Sequence, residues 1–179
     1  MRKKAYRNIL KVITTIILLL VVSLALFTAR ELFHTNKGES ISHGTRSNGS
    51  LENGWLIPYS GNNYKSFSIF SYYFMDNAYV NDKVCRAIEG AYKACDISTP
   101  EVFYRYMECS DHDGGRLNFH KSHRNGLSVD FMVPKVRNDM PYTSIDSWGL
   151  AHYFLEFDNT GTLLQDYPIL PSSIPPYQN

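Results

Sequence analysis

Cysteine is scarce. The chain has three, Cys85, Cys95 and Cys109, and no C-x-x-C, which excludes a zinc site built on cysteines. Cys85 and Cys95 lie ten residues apart on an expected helix. That is about 15 Å along its axis, too far for a disulfide. An oxidising exterior permits one bridge and leaves one thiol over, but the favoured reading is three small apolar residues in a core. Charge of one sign is also missing. Eighteen Lys and Arg face seventeen Asp and Glu, net +1, so nothing global points to nucleic acid or to an acidic partner. No internal repeat is present. What the chain does have is aromatic residues, with 13 Tyr and 10 Phe, and a length of 179 residues that allows one domain.

Acid is absent from residues 1–11, which carry Arg2, Lys3, Lys4, Arg7 and Lys11. Residues 12–29 follow as 18 positions without a charge, about 27 Å as a helix and enough to span a thin hydrocarbon core. Basic residues stay cytoplasmic, so the remainder is expected outside. A cleaved signal peptide is the rival reading, and secretion would follow from it. It needs small residues at −3 and −1, and a cut after Ala29 places Phe27 at −3. No cysteine follows closely, which argues against a lipoprotein anchor. An uncleaved signal-anchor is the favoured reading.

Residues 30–46 are polar and mixed and read as a linker. Residues 48–63 read as two loops around a short extended segment, with Trp55 as a lid over the core in preference to a groove wall. In residues 66–74 (SFSIFSYYF) bulk alternates on both faces, which predicts a central strand. Residues 81–95 give the clearest helix. Val84, Ala87, Ile88, Ala91, Tyr92 and Cys95 repeat at helical spacing, Asn81 is the expected N-cap, and Asp82–Arg86 and Glu89–Lys93 form pairs on a solvated face. Residues 102–107 alternate as a strand. Asp111, His112 and Asp113 in the next turn read as a solvated loop in preference to a cation site. Residues 135–146 read as a surface loop, and residues 152–157 (within 147–157) and 162–167 as strands around Asp158-Asn159-Thr160-Gly161. Residues 168–179 hold four of the eight prolines and read as an extended or disordered tail.

The chemistry concentrates in residues 114–134, GGRLNFHKSHRNGLSVDFMVP. Asn125-Gly126 is a hairpin signal, because both residues tolerate positive φ. A two-residue turn there pairs Arg124 with Leu127 and His123 with Ser128, with Asp130 diagonal to His123. Leu127, Val129, Phe131 and Val133 share one strand face, expected on the core. Asp130 on the other face is left for chemistry. An imidazole and a carboxylate, each reaching about 2.0–2.2 Å to an ion, close that diagonal on a zinc.

His123, Gly126 and Asp130 reproduce H-x-x-G-x-x-x-D, the signature of zinc peptidases acting on bacterial cell-wall peptides. The run GG-x4-H-x-SH-x-NGLSVDFM resembles the penicillin-insensitive murein endopeptidases, within the lysostaphin and D-Ala-D-Ala metallopeptidase group. Gly44-Thr45, Asn48-Gly49-Ser50-Leu51, Gly54, Ile57-Pro58 and Gly61 resemble the same family's upstream segment, so the likeness covers roughly residues 44–165. It implies an α+β fold around an antiparallel sheet, Zn2+ held by His123 and Asp130, peptidoglycan peptide as substrate, and a place at the bacterial inner membrane with the domain in the periplasm or outside the cell. It also implies a downstream H-x-H, and this sequence has none; the family's later segment is expected to be missing, and the sheet to be short of a strand or two. His152, the only histidine after Asp130, or His120 is then left to complete the site, with Glu156 as the candidate base. Other readings are a ligand from a partner or another copy, and a truncated or inactive relative that binds cell-wall peptide without cutting it. His120, Ser122 and Ser128 are otherwise expected to orient ligands or bind substrate. The expected architecture is α+β, a small antiparallel sheet with flanking helices preceded by one transmembrane helix. Residues 1–11 form a cytoplasmic tail, 12–29 the anchor, 30–46 a linker, 47–167 the murein-endopeptidase-like domain and 168–179 the proline-rich tail.

Overall fold

The structure is a computed structural model and describes residues 2–117, 120–137, 140–143, 146 and 154–164. It is α+β, as expected. Helix α1 (Arg2–Phe33) leads into hairpin β1 (Ile41–Thr45) and β2 (Asn48–Glu52). Then come β3 (Trp55–Leu56), β4 (Tyr64–Ser66), α2 (Ile69–Phe74), β5 (Tyr79–Val80), α3 (Asp82–Ser98), β6 (Tyr104–Tyr106), β7 (Phe131–Met132), β8 (Val136–Arg137) and β9 (Met140–Pro141). The sheets are small. β1–β2, β3–β5 and β8–β9 are antiparallel pairs, and β4–β6–β7 is a three-stranded sheet. Within it β4 runs parallel to β6 and β7 antiparallel to it.

Helix α1 is apolar over Tyr6–Leu26, 21 residues with mean hydropathy 2.7 and no burial against the rest of the chain. At 1.5 Å per residue this window is about 31 Å long, the thickness of a bilayer core. Its threonines keep their hydroxyls satisfied inside the helix. Thr14 donates to the Leu10 carbonyl and Thr15 to the Lys11 carbonyl, both at 2.9 Å. A helix in hydrocarbon needs this self-sufficiency. Such a helix serves equally as a membrane anchor or as a signal sequence.

The core is aromatic and lies between α3 and the short strands. Tyr79, Tyr106, Ile57 and Val80 are wholly buried, and Tyr64 stacks on Tyr92 of α3 at 4.3 Å between ring centroids. Each fully buried aliphatic side chain there contributes about 1.5–3 kcal/mol. Helix α3 forms as its periodicity predicts, with the Asn81 side chain accepting from Lys83 N–H at the cap. Its face is less wet than expected. Asp82 is buried, accepts from the Ser40 N–H at 3.1 Å, and lies 3.7 Å from Arg86. The Arg86 guanidinium in turn covers the Trp55 ring at 4.5 Å, and Trp55 packs against the core as a lid.

Four expectations are corrected. Residues 66–74 are not one strand. β4 ends at Ser66, and α2 begins after Ser68, whose hydroxyl accepts from Ser71 N–H at 3.2 Å. Residues 41–45, expected as linker, and residues 48–52, expected within a loop, pair residue for residue as β1 and β2. Within residues 135–146, expected as a loop, β8 pairs antiparallel with β9, and Lys135 forms a buried ion pair with Asp146. The apolar face of residues 127–133 is mostly outward. Leu127, Phe131 and Val133 are exposed, whereas Met132 is buried with Phe67 and Met107. Of the expected face, Val129 packs on the main core, and the half-exposed Phe131 ring meets Tyr92 of α3 edge-on at 6.4 Å. Among the described residues the expected far strands meet at a single Phe157–Leu163 bridge, and residues 147–153 and 165–167 lie outside the described residues. The tail, residues 168–179, lies outside the described residues.

Candidate metal centre

The turn that carries His123 is fixed by backbone groups from three places in the chain. Arg124 N–H donates to the Arg46 carbonyl at 3.0 Å, Gly115 N–H to the Arg124 carbonyl at 2.9 Å, and Asn81 N–H, at the head of α3, to the Gly126 carbonyl at 2.9 Å. Gly114 and Gly126 make this approach possible. Both have φ of +70°. A Cβ on Gly114 would sit 2.3 Å from the Arg124 carbonyl oxygen, and one on Gly126 2.9 Å from Asn81 N. The Asn125-Gly126 signal therefore marks a real reversal, but not a β-hairpin. Gly126 N–H reaches the His123 carbonyl at 3.5 Å, and strand pairing begins only at Phe131.

His123 itself has φ of +71°, a left-handed conformation that costs a non-glycine residue about 1 kcal/mol or more. Its ring is buried, with 5% of the side chain exposed. Nδ1 lies 3.1 Å from the Ser128 carbonyl oxygen. That oxygen can only accept, so Nδ1 must be the donor. Nε2 points outward, to within 3.3 Å of Asp130 Oδ2. A neutral ring presents a lone pair to a cation in this gap, and a protonated ring presents an N–H to the carboxylate. A tetrahedral ion with bonds of about 2.1 Å separates its ligands by about 3.4 Å, so the spacing fits a metal.

Asp130 is held from the other side. Met107 N–H donates to its carbonyl at 2.7 Å, and its own N–H donates to the Glu108 carbonyl at 3.0 Å. Two β6-side residues thus oppose one, a bulge-like arrangement of the kind that re-aims side chains beside functional sites. Glu108 is anchored by its carboxylate, which accepts from Ser71 Oγ at 2.9 Å and Asn77 Nδ2 at 2.7 Å. The Asp130 carboxylate stays half exposed.

His120 completes the group. Its ring lies 5.8 Å from that of His123 and nearly perpendicular to it. The candidate ligand atoms of His120, His123 and Asp130 all fall within 4.8 Å of one another, so the trio could hold a metal ion. Among the described residues no fourth His, Cys, Asp or Glu joins it. Cys109 is near but stays a thiol: burial first, then the charges of Glu108 and Asp130, push its pKa well up.

Of the other expected site residues, Ser128 contributes its carbonyl, and Ser122 lies partly buried in the bend between the two histidines. Glu156 is exposed beside the Phe157–Leu163 bridge, outside the trio. His152 lies outside the described residues. His112 packs edge-on against Tyr79 at 4.9 Å and pairs with Asp113, and among the described residues Asp111, His112 and Asp113 form no metal-capable group. The sequence reading missed the supporting groups: the carbonyls of Arg46, Ser128 and Glu108 and the N–H of Asn81. The one available signal was the glycine at 114, spaced to meet residue 124. No protein-family model and no curated protein matches the chain.

Proposed function

We propose that this chain is a membrane-anchored, exported zinc metallopeptidase-like protein that acts on the peptides of bacterial cell walls, in the manner of the murein endopeptidases. One observation carries the metal reading: His123 Nε2 and Asp130 Oδ2 are 3.3 Å apart, with Nδ1 already spent on Ser128. Two imidazoles and one carboxylate are the donor set of a catalytic zinc, which takes three protein ligands. Zinc bound there supplies a Lewis acid and a water of lowered pKa. The chain's residues do the rest. The Ser128 carbonyl fixes the His123 tautomer, the bulge at Met107–Glu108 aims Asp130, and the half-exposed carboxylate leaves the centre open to a peptide. The cell-wall substrate rests on the likeness of residues 114–134 to the murein endopeptidases.

A second reading is metal-dependent binding of cell-wall peptide without hydrolysis. It is favoured by the position of Glu156, exposed and outside the trio. The test is zinc stoichiometry and affinity of the full chain in detergent, beside His120→Ala, His123→Ala and Asp130→Ala, followed by incubation with cross-linked muropeptides. Each substitution is expected to weaken zinc by at least about 100-fold, more than loss of a supporting partner does. Zinc is also expected to leave as the pH falls, because imidazole ligates only when neutral. Zinc retained by His123→Ala would sink the metal centre. Tight zinc with uncut muropeptides would select the binding reading, and His152→Ala shows whether that residue adds a ligand.

A further inference from the structure

Helix α1 does not end in a free tether. In its last turn Glu31 is buried, and α1 packs there against α2. Just beyond, His34 meets Tyr79 edge-on at 5.2 Å. Asn36 clasps Leu56 at both ends, donating to its carbonyl at 2.9 Å and accepting from its N–H at 2.8 Å. The domain is thus fixed to the helix that carries the apolar window.

That window ends at Leu26. Glu31 follows about 8 Å further along the axis. The polar layer on each side of a bilayer core is about 5–8 Å thick, so α2 packs at headgroup depth. Its surface suits that depth. Ile69 and Phe70 are more than half exposed, as are Leu32 and Phe33 at the end of α1. Phe70 stacks on Phe74 at 5.5 Å, and the partly buried Tyr59 and Tyr73 lie 5.6 Å apart between ring centroids. Lys65 lies over the Tyr59 ring at 5.1 Å. Exposed apolar side chains, tyrosines and a lysine together are the composition of a protein surface in the membrane interface.

We propose that α2 is a second membrane contact, with Ile69 and Phe70 seated in the lipid interface of the bilayer that α1 crosses. The partner is lipid, because the patch continues directly from the apolar helix. Seating would hold the domain at one height and orientation over the membrane. The inference rests on α1 as a span and not on the metal.

The test is Phe70→Trp in the full chain, reconstituted in phosphatidylcholine–phosphatidylglycerol vesicles and compared with wild type, which carries Trp55 and Trp148. The added emission is expected to be blue-shifted and mostly lost when the lipids are brominated near the headgroup. Phe70 is exposed, so the variant is expected to melt as wild type does. A chain stripped from vesicles by alkaline carbonate overturns both the span and the seat. A chain that stays inserted while its added emission remains red and unquenched overturns the seat alone. Emission shielded from aqueous iodide yet untouched by brominated lipid means that protein covers α2, and overturns it too.

Discussion

At the scale of single residues, the metal-capable group depends on backbone more than on side chains. His123 and Asp130 were legible because both sit in a short spaced pattern with Gly126. Their supports were not, since a carbonyl such as that of Arg46 or Ser128 belongs to any residue type. The glycines test this. Gly126→Ala adds a Cβ 2.8 Å from Leu51 Cδ2 and 2.9 Å from Asn81 N, at φ of +70°. Gly115→Ala, at φ of +81°, meets open space. The first is expected to cost about 2–4 kcal/mol through strain and collision together, the second only about 1 kcal/mol of strain. Denaturant midpoints of the two variants check the difference. Equal losses would mean that close approach of the turn to α3 is not what fixes it. Gly126→Ala is also expected to weaken zinc binding, and Gly115→Ala to leave it nearer to wild type.

Elements differ in how plainly they are written. Helix α3 repeats its apolar residues over three turns and is capped by Asn81, so its place was readable. Residues 66–74 offered bulk at every position, and a two-residue alternation concealed a helical signal in Phe70 and Phe74, which stack across one turn. The Ser68 cap decides for the helix. In residues 127–133 alternation was genuine, but β7 pairs over only two residues at a sheet edge. Little of the apolar face therefore meets a core, and the covered side is the one with Met132. For α3, the Asn81 side chain caps Lys83 N–H and also donates to Ser42 Oγ at 3.0 Å. Asn81→Ala is expected to lower stability by about 1–2 kcal/mol. Its own N–H still reaches Gly126, so zinc affinity is expected to change less than with Gly126→Ala. Thermal melts and zinc titrations of the two variants, run side by side, check the ordering.

The whole molecule carries an unusual load of buried acidic hydrogens. Burial pushes the Cys85 thiol from 9.0 up to about 12 and raises Cys109, Tyr72, Tyr92 and Tyr106 as well. Each of these groups holds its proton more tightly folded than unfolded. Its contribution is therefore complete below the unfolded value, about pH 9 for the thiols and 10 for the phenols, and is lost as pH rises toward the folded value. The melting temperature in detergent is expected to stay level from pH 7 to 8 and to fall steeply above pH 9–10. A level profile to pH 11 would refute the burial of these groups. Under native conditions a thiol reagent is expected to label Cys95 alone, with Cys85 and Cys109 reacting only after unfolding, as a mass spectrum would show. His120, His123 and Asp130 span eleven residues of chain, so a denatured molecule keeps all three donors together as a loose local chelate. Where the trio holds zinc, such a chain would compete with the native one for it. Saturating zinc at 100 times its dissociation constant is then expected to stabilise the fold by less than the roughly 2.7 kcal/mol of a ligand that ignores the unfolded state.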